Sequence, residues 1–297
     1  MVIYDAIFAP NPAGTPTAVS AIAGFLAFST DFGVNWSRSI LQEFPNIHKS
    51  RVSPTVLAVS PNFHSDQVVY IGTRKHGVIQ TTDGGHSWRA IQGTLVPSSR
   101  IVNITSIVTS PNYANDRTTI ATNNAGEVWR TTDGGDSWLR IDTSSIVTRG
   151  WPEQKYLWIA ISPDFATDQL LLLGTDDGVY RSSNGGNDWA RIISNKIGAS
   201  NVIQQLEFSP NFSADRSVYV TVRGKGMYRA YLNNDGSLTS VSENLGLWLL
   251  ERNIQFTEFQ ISPNFAQDTT LLGRARDSVY ISKDAGLTWA VAGYPGQ

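Results

Sequence analysis

The sequence predicts an all-β protein, a six-bladed β-propeller with four antiparallel strands in each blade. Two phrases carry this prediction, because each of them returns about every fifty residues along the 297-residue chain. The first is an octapeptide of the type TTDGGHSW at 81–88, and the second is a heptapeptide of the type SPNFHSD at 60–66. Between the phrases, apolar residues fall in short runs of strand length, which is typical of radially repeated blades.

The octapeptide occurs in six copies that match it to different degrees, and the fifth copy matches it least. The anchor residues of the copies are acidic or amide residues 49 to 52 positions apart: Asp31, Asp83, Asp133, Asn184, Asp235 and Asp284. Ser240 stands where the fifth copy should have a tryptophan. The spacing predicts one domain over 1–297 with units beginning near 1, 52, 101, 154, 201 and 254. We expect the sixth unit to pack on the first without exchange of a strand between the termini.

Each unit contains four runs of strand length, which we name strands A to D. In the second unit they are VLAVS (56–60), VVYIGT (68–73), GVIQTT (77–82) and WRAI (88–91). These runs are rich in β-branched and aromatic residues and are bounded by turn residues, as strands are. The octapeptide therefore forms the hairpin between strands C and D, and the heptapeptide begins the A–B turn.

The octapeptide has a structural explanation in every copy. Gly84 and Gly85 allow a tight turn with positive φ, and the Asp83 carboxylate can accept hydrogen bonds from backbone N–H groups of that turn. Trp88 begins the next strand and should bury its ring against the neighbouring sheet. We expect the same role for the other tryptophans of the phrase: Trp36, Trp138, Trp189 and Trp289.

The heptapeptide occurs in five clear copies, with a faint first copy APNPAGT at 9–15. Its proline should end strand A, its aromatic residue should fill the blade, and the aspartate six positions after the serine should cap the A–B turn. The A–B and C–D turns of a blade lie on the same face. Both phrases are thus predicted to be structural and to lie on one repetitive face of the propeller.

The octapeptide pattern S/T-x-D-x-G-x-S/T-W resembles the Asp-box, or bacterial neuraminidase repeat. Ser282, Asp284, Gly286, Thr288 and Trp289 match it at every defined position. That family implies a propeller, and it includes sialidases, xyloglucan-active endoglucanases, sortilin-like receptors and photosystem II assembly factors. The combination with SPNFxxD is similar to uncharacterised bacterial propeller-repeat proteins, which implies an extracytoplasmic or secreted location.

Composition and motifs exclude several classes of function. The net charge of −2 and the lack of a basic segment argue against nucleic-acid binding, and no apolar run is long enough to insert into a membrane. The chain has no cysteine, and its four histidines lack the spacing of metal ligands. It also has no HExxH, P-loop or GxSxG motif. We therefore expect no cofactor and no metal.

The candidate binding site lies on the face opposite the octapeptides, where the B–C turns and D–A connections differ most between units. The residues that we assign to it are Trp151, Trp158, Arg100, Arg252 and Glu258. Tryptophan and arginine often dominate protein interfaces, and aromatic rings can also stack on sugars. The sequence therefore favours a non-catalytic binding or scaffolding propeller whose partner is a protein or a carbohydrate.

The alternative function is glycoside hydrolysis, either sialidase-like or on β-glucans. If the positions two and four residues before the aligned serine of the heptapeptide face the central channel, Asp5, Glu207 and Glu258 approach the axis, and Glu258 with Asp5 or Glu207 could act as acid and base. Carboxylates in such a channel can also simply meet water. The F/Y-R-I-P phrase typical of the first arginine of sialidases does not occur.

Overall fold

The computed structural model is an all-β structure of six four-stranded antiparallel sheets, the fold of a six-bladed β-propeller. The structure describes residues 3–9, 16–22, 24–31, 33–41, 52–91, 102–146, 157–192, 202–243, 256, 258–262, 264–275 and 278–293. In each sheet the four strands pair in chain order, each antiparallel to the next. The predicted fold class is therefore confirmed, and the octapeptides form the C–D hairpins.

Sheets 1 to 3 contain strands β1 to β12. Their bounds are Ile3–Ala9, Thr17–Ile22, Phe25–Ser29 and Ser37–Ile40; Pro54–Val59, Val69–Thr73, Val78–Thr81 and Arg89–Ile91; and Ile104–Thr109, Thr119–Asn123, Val128–Thr131 and Leu139–Ile141. Sheets 4 to 6 contain β13 to β24. Their bounds are Trp158–Ile161, Leu171–Thr175, Gly178–Ser182 and Ala190–Ile192; Ile203–Phe208, Ser217–Val222, Gly226–Leu232 and Leu238–Glu243; and Glu258–Ile261, Leu271–Ala275, Ser278–Ser282 and Ala290–Gly293.

A single helical turn follows strand A in sheets 2 to 6. These turns are α1 to α5: Phe63–Asp66, Tyr113–Asp116, Phe165–Asp168, Phe212–Asp215 and Phe265–Asp268. In the first of them the Ser60 hydroxyl donates to Asp66 (2.6 Å), Asp66 accepts the N–H of Val68 (3.1 Å), and the Phe63 ring is buried. The aspartate therefore caps the A–B turn as predicted, although the sequence did not predict the helical turn itself. None of the helices among the described residues could span a membrane.

The chain forms two compact units. The first unit comprises residues 1–143 and 152–159 and contains sheets 1 to 3. The second unit comprises residues 144–151 and 160–297 and contains sheets 4 to 6, except that the first two residues of β13 belong to the first unit. A single closed ring spanning both units remains a prediction.

Both faces of a sheet are buried against neighbouring sheets within these units. One face of sheet 2, with Leu57 and Ile71, packs with sheet 1, and the other face, with Val56 and Tyr70, packs with sheet 3. Sheets 5 and 6 share a core in the same way, with Tyr219 on Phe259. Alternate residues of strand A therefore point towards the preceding and the following sheet.

Candidate functional site

The octapeptide turns satisfy their own carboxylates, and Asp83 shows the pattern. Its carboxylate accepts hydrogen bonds from the Thr81 hydroxyl (2.7 Å), the Ser87 N–H (2.9 Å) and the Ser87 hydroxyl (2.5 Å). The Gly84 N–H donates to the carbonyl of Gln67 (3.2 Å), which joins the C–D turn to the A–B turn of the same sheet. Both phrases therefore lie on one face, which we call the octapeptide face.

These contacts explain the acidity of the turn aspartates. Hydrogen bonds from Ser137 and Thr131 hold the pKa of Asp133 below its usual value. For Asp83, partial burial raises the pKa, but the hydrogen bonds from Ser87 and Thr81 outweigh it and lower the pKa to about 2. A carboxylate stabilised in its charged form by its own turn is a poor proton donor near neutral pH, so these residues are suited to structure.

Two of the octapeptide tryptophans, Trp88 and Trp138, pack on the preceding sheet. The Trp88 Nε1 donates to the Ser39 hydroxyl of sheet 1 (3.1 Å), and the Trp138 ring lies edge-on to Tyr70 of sheet 2, with centroids 6.4 Å apart. Trp138, Trp189 and Trp289 are each 7% exposed, which confirms their predicted burial. Trp36, at 45% exposed, differs from them.

The fifth copy replaces the tryptophan with a longer ladder. Strands β19 and β20 have seven and six residues, whereas β15 and β16 have five and three. Its turn is closed by Asp235, which accepts from the N–H and the hydroxyl of Ser237 (2.9 and 2.7 Å). The hairpin that lacks the tryptophan therefore has the longer strands.

The predicted binding residues are only partly within the described chain. Trp151, Arg100 and Arg252 lie outside the described residues. Trp158 is the half-buried first residue of β13, and Glu258 is the first residue of β21. Both therefore lie at the start of strand A, away from the octapeptide face. Glu258 is paired in register with Arg274, whose guanidinium is 3.1 Å from its carboxylate.

The carboxylates of Asp5 and Glu207 have structural partners. One Asp5 oxygen accepts the N–H of Ala6 and the other accepts the N–H of Leu57 in sheet 2, both at 2.8 Å. Glu207 accepts from the Gln205 amide (2.6 Å). Asp5 was expected to face the channel, but its carboxylate is directed towards the backbone of the following sheet.

Polar residues at the Asp5 position link successive sheets. The equivalent residue of sheet 5, Gln205, bonds to both the N–H and the carbonyl of Phe259 in sheet 6 (2.8 Å each). In sheet 3, Ser106 contacts the backbone of Ile159 at 3.4 to 3.5 Å. In sheets 1, 3 and 5 the polar side chain at this position thus bonds to the backbone of the next strand A.

The B–C turns combine buried acids with exposed bases, which the sequence did not reveal. Glu127 is 3.3 Å from the Arg140 guanidinium, and Asp177 is 3.1 Å from that of Arg191. Both acids are buried, and both arginines stand two positions after an octapeptide tryptophan, a spacing that could have signalled the pairs. The exposed bases of the B–C turns in sheets 2 and 5 are Arg74, Lys75, Arg223 and Lys225.

Within each compact unit, the ends of the sheets away from the octapeptide turns therefore carry B–C turns whose charges differ. Among the described residues, no group of three or more His, Cys, Asp or Glu has the arrangement of a metal site. The B–C turns of sheets 2 and 5 offer exposed cationic groups, which are suited to contact with a polar or acidic segment of another molecule.

Comparisons with solved structures agree with this architecture. A structure of YCF48 bound to D1 peptide has a TM-score of 0.65 and 17% identity, with 97% of this chain and 80% of that chain covered. YCF48 from Cyanidioschyzon merolae has a TM-score of 0.63 and 15% identity, with 98% and 84% covered. An ancestral GH74 enzyme has a TM-score of 0.64 and 19% identity, with 98% of this chain but only 38% of the enzyme covered.

At these identities the structures show the fold alone. No curated protein matches the sequence. The model of one protein family, described as photosynthesis system II assembly factor YCF48, matches residues 42–238. Because this match spans more than half of the chain, the protein belongs to the family of the photosynthesis system II assembly factor YCF48.

Proposed function

We propose that the protein is a non-catalytic binding propeller that holds a peptide segment of another protein on the face opposite the octapeptides. The proposal rests on the family to which the chain belongs. It also rests on the structure of YCF48, a propeller of the same fold that was determined bound to D1 peptide. The partner is a protein, and the role is that of a scaffold during the assembly of a larger complex.

The chemistry of the two faces supports this choice of surface. On the octapeptide face, the carboxylates of Asp83 and Asp133 accept hydrogen bonds from their own turns. On the opposite face, the exposed bases Arg74, Lys75 and Lys225 belong to turns that differ in sequence between sheets. Cationic groups on short hairpins lose little conformational freedom on binding an acidic or carboxyl-terminal peptide.

The residues we assign to the site are those predicted from the sequence: Trp151, Trp158, Arg100, Arg252 and Glu258. Trp158 offers a partly exposed ring for apolar contact, and Glu258 is held by Arg274 at 3.1 Å in a pair that is open to solvent. A partner carboxylate that displaced Glu258 from Arg274 would gain a bidentate ion pair.

The hydrolase alternative is less well supported. It needs an acid and a base from Glu258 with Asp5 or Glu207, yet Asp5 accepts two backbone hydrogen bonds and Glu207 accepts one from Gln205. The likeness to GH74 enzymes is one of fold at 17 to 19% identity. A carbohydrate partner remains an alternative to be tested beside the protein partner.

Titration with the D1 peptide that YCF48 binds tests the proposal. We expect saturable binding by fluorescence anisotropy, weakened at least fivefold by Trp158→Ala and by Arg274→Gln. Leu287→Ser is the matched control, because Leu287 is an exposed apolar residue within an octapeptide turn. It should leave the affinity unchanged.

Two outcomes would reject the proposal. One is the absence of saturable binding to the D1 peptide and to a tiled set of acidic peptides of the same length. The other is loss of binding in Leu287→Ser but not in Trp158→Ala. Cleavage of sialosides or β-glucans that is lost in Glu258→Gln would favour the hydrolase alternative instead.

A further inference from the structure

The B–C turn of sheet 2 contains a lysine in a strained backbone conformation. Lys75 has a φ of 142°. The other six non-glycine residues with positive φ in the described part of the chain have values of 48 to 57°, within the left-handed region that L-residues can adopt. Lys75 lies outside that region. Strain of this kind costs folding energy and is found most often at sites that bind ligands or carry out chemistry.

The B–C turn of sheet 5 has the same length and shows which residue this position favours. In sheet 2 the tip of the turn is formed by residues 74–76, and in sheet 5 it is formed by residues 223–225. The residue equivalent to Lys75 is Gly224, which has a φ of 74°. Glycine adopts positive φ without a steric penalty, so it is the residue that would relax this position in sheet 2.

Hydrogen bonds around Lys75 fix the path of the turn. The Thr73 hydroxyl donates to the carbonyl of Gly77 (2.8 Å) and accepts the N–H of His76 (3.0 Å). The N–H of Arg74 donates to the carbonyl of Ser53 (2.9 Å), which ties the turn to the connection before strand A. The backbone on both sides of Lys75 is therefore held in place, and the strain follows from the closure of the turn.

The tip carries two positive charges that no acid in the neighbouring turns of the same unit neutralises. Arg74 and Lys75 are exposed, and neither has an ion-pair partner among the described residues. The B–C turn of sheet 1 has no charged residue, and the acid in that of sheet 3, Glu127, is buried beside Arg140. Burial and the charge of Lys75 lower the pKa of His76, so this ring adds little charge near neutral pH.

We propose that Lys75 determines specificity in peptide binding: its ammonium and the guanidinium of Arg74 bind two adjacent carboxylates of the partner peptide. The inference rests on the proposed function, since it takes the B–C turns as part of the binding surface. A glycine would give a more relaxed turn, so the lysine is explained by its charge and not by the fold. Two adjacent cations on one tip are complementary to two adjacent acidic side chains.

Lys75→Gly and Lys75→Gln separate the charge from the strain. Both variants remove the ammonium, but only the glycine variant relaxes the backbone, so its melting temperature should be about 2 °C or more above that of Lys75→Gln. Both should bind the capped peptide Gly-Ser-Glu-Glu-Ser-Gly about two- to fivefold more weakly than the parent, as expected for the loss of one exposed ion pair. Circular dichroism measures the melting temperatures, and NMR titration at low salt measures the affinities.

Two controls link the effect to the charges of this turn. The capped peptide Gly-Ser-Gln-Gln-Ser-Gly lacks the carboxylates and should bind the parent and both variants equally weakly. Lys283→Gln removes an exposed lysine from the octapeptide turn of sheet 6 and should leave the affinity for the Glu-Glu peptide unchanged. Arg74→Gln should weaken the Glu-Glu peptide about as much as Lys75→Gln does.

Three results would overturn the inference. They are equal melting temperatures of Lys75→Gly and Lys75→Gln, no binding of the Glu-Glu peptide by the parent, and binding of that peptide that neither variant weakens. Failure of the proposed function would look different. If the Glu-Glu peptide bound with the expected losses but the D1 peptide did not bind, the inference about Lys75 would be supported and the D1 peptide would be rejected as a partner.

Discussion

Replacement of Trp138 by alanine should destabilise the protein much more than the same replacement of Trp36. Trp138 is 7% exposed and contacts Tyr70 of the preceding sheet, whereas Trp36 is 45% exposed. A large aromatic side chain buries about 150–250 Å², which at about 25 cal/mol/Å² corresponds to about 4–6 kcal/mol when burial is complete. Because unfolded chains already bury part of this area, we expect about 3–5 kcal/mol for Trp138→Ala. For Trp36→Ala we expect about half as much.

Guanidinium denaturation followed by circular dichroism measures both values in the same buffer. The two variants delete the same indole from the same position of the octapeptide, so each is the control for the other. If Trp138→Ala unfolded at the same denaturant concentration as the parent but lost peptide binding, the octapeptide would be a binding element. Equal losses in the two variants would show that burial against the preceding sheet does not determine the stability of the turn.

Three further changes test the turns and the contacts between sheets. Asp83→Ala should lower the free energy of unfolding by roughly 0.5–2 kcal/mol. The pKa of Asp83 in the folded protein is lowered to about 2, so the stabilisation by its carboxylate should be complete above about pH 4 and lost as the pH falls towards 2. Acid titration of the parent and the variant measures this difference. Gly72→Ala should cost about 1–3 kcal/mol in the same denaturation assay, because its Cβ would lie 2.6 Å from Ile104 Cγ2. Gln205→Leu should cost about 1–3 kcal/mol and speed hydrogen exchange at the Phe259 amide, which would lose its acceptor.

The sequence predicted the fold because the same pattern of turn residues and strands recurs in every unit. Each of the six units places turn residues and strands at the same intervals, so an error in one unit is corrected by the others. The role of Asp83 followed in the same way from the spacing of Thr81, Asp83 and Ser87, which a local turn brings within hydrogen-bonding distance. Local hydrogen bonds of this kind depend on neighbouring residues in the chain and need no knowledge of tertiary packing.

The sequence was less informative where the neighbour comes from another sheet. Alternation in strand A correctly separated two rows of residues, but it could not say that Asp5 meets the backbone of Leu57 rather than a channel. The pairing of buried Glu127 with Arg140 was also missed, since Glu127 lies in the B–C turn and Arg140 lies thirteen positions later on strand D.

The row of strand A that contains Asp5 also shows how to judge an acidic residue in such a fold. Asp5 and Gln205 occupy equivalent positions, and both bond to the backbone of the next strand A, so an acid and an amide perform the same structural task. The ionisable character of Asp5 is therefore unnecessary for that task and is no evidence of catalysis. Glu258 occupies the same position in sheet 6, but its partner is the Arg274 side chain, in a pair whose two side chains are 42% and 60% exposed. A contact between two exposed side chains can be exchanged for a partner's carboxylate without disturbing the fold, which makes Arg274 and Glu258 the most informative residues to change in a binding assay.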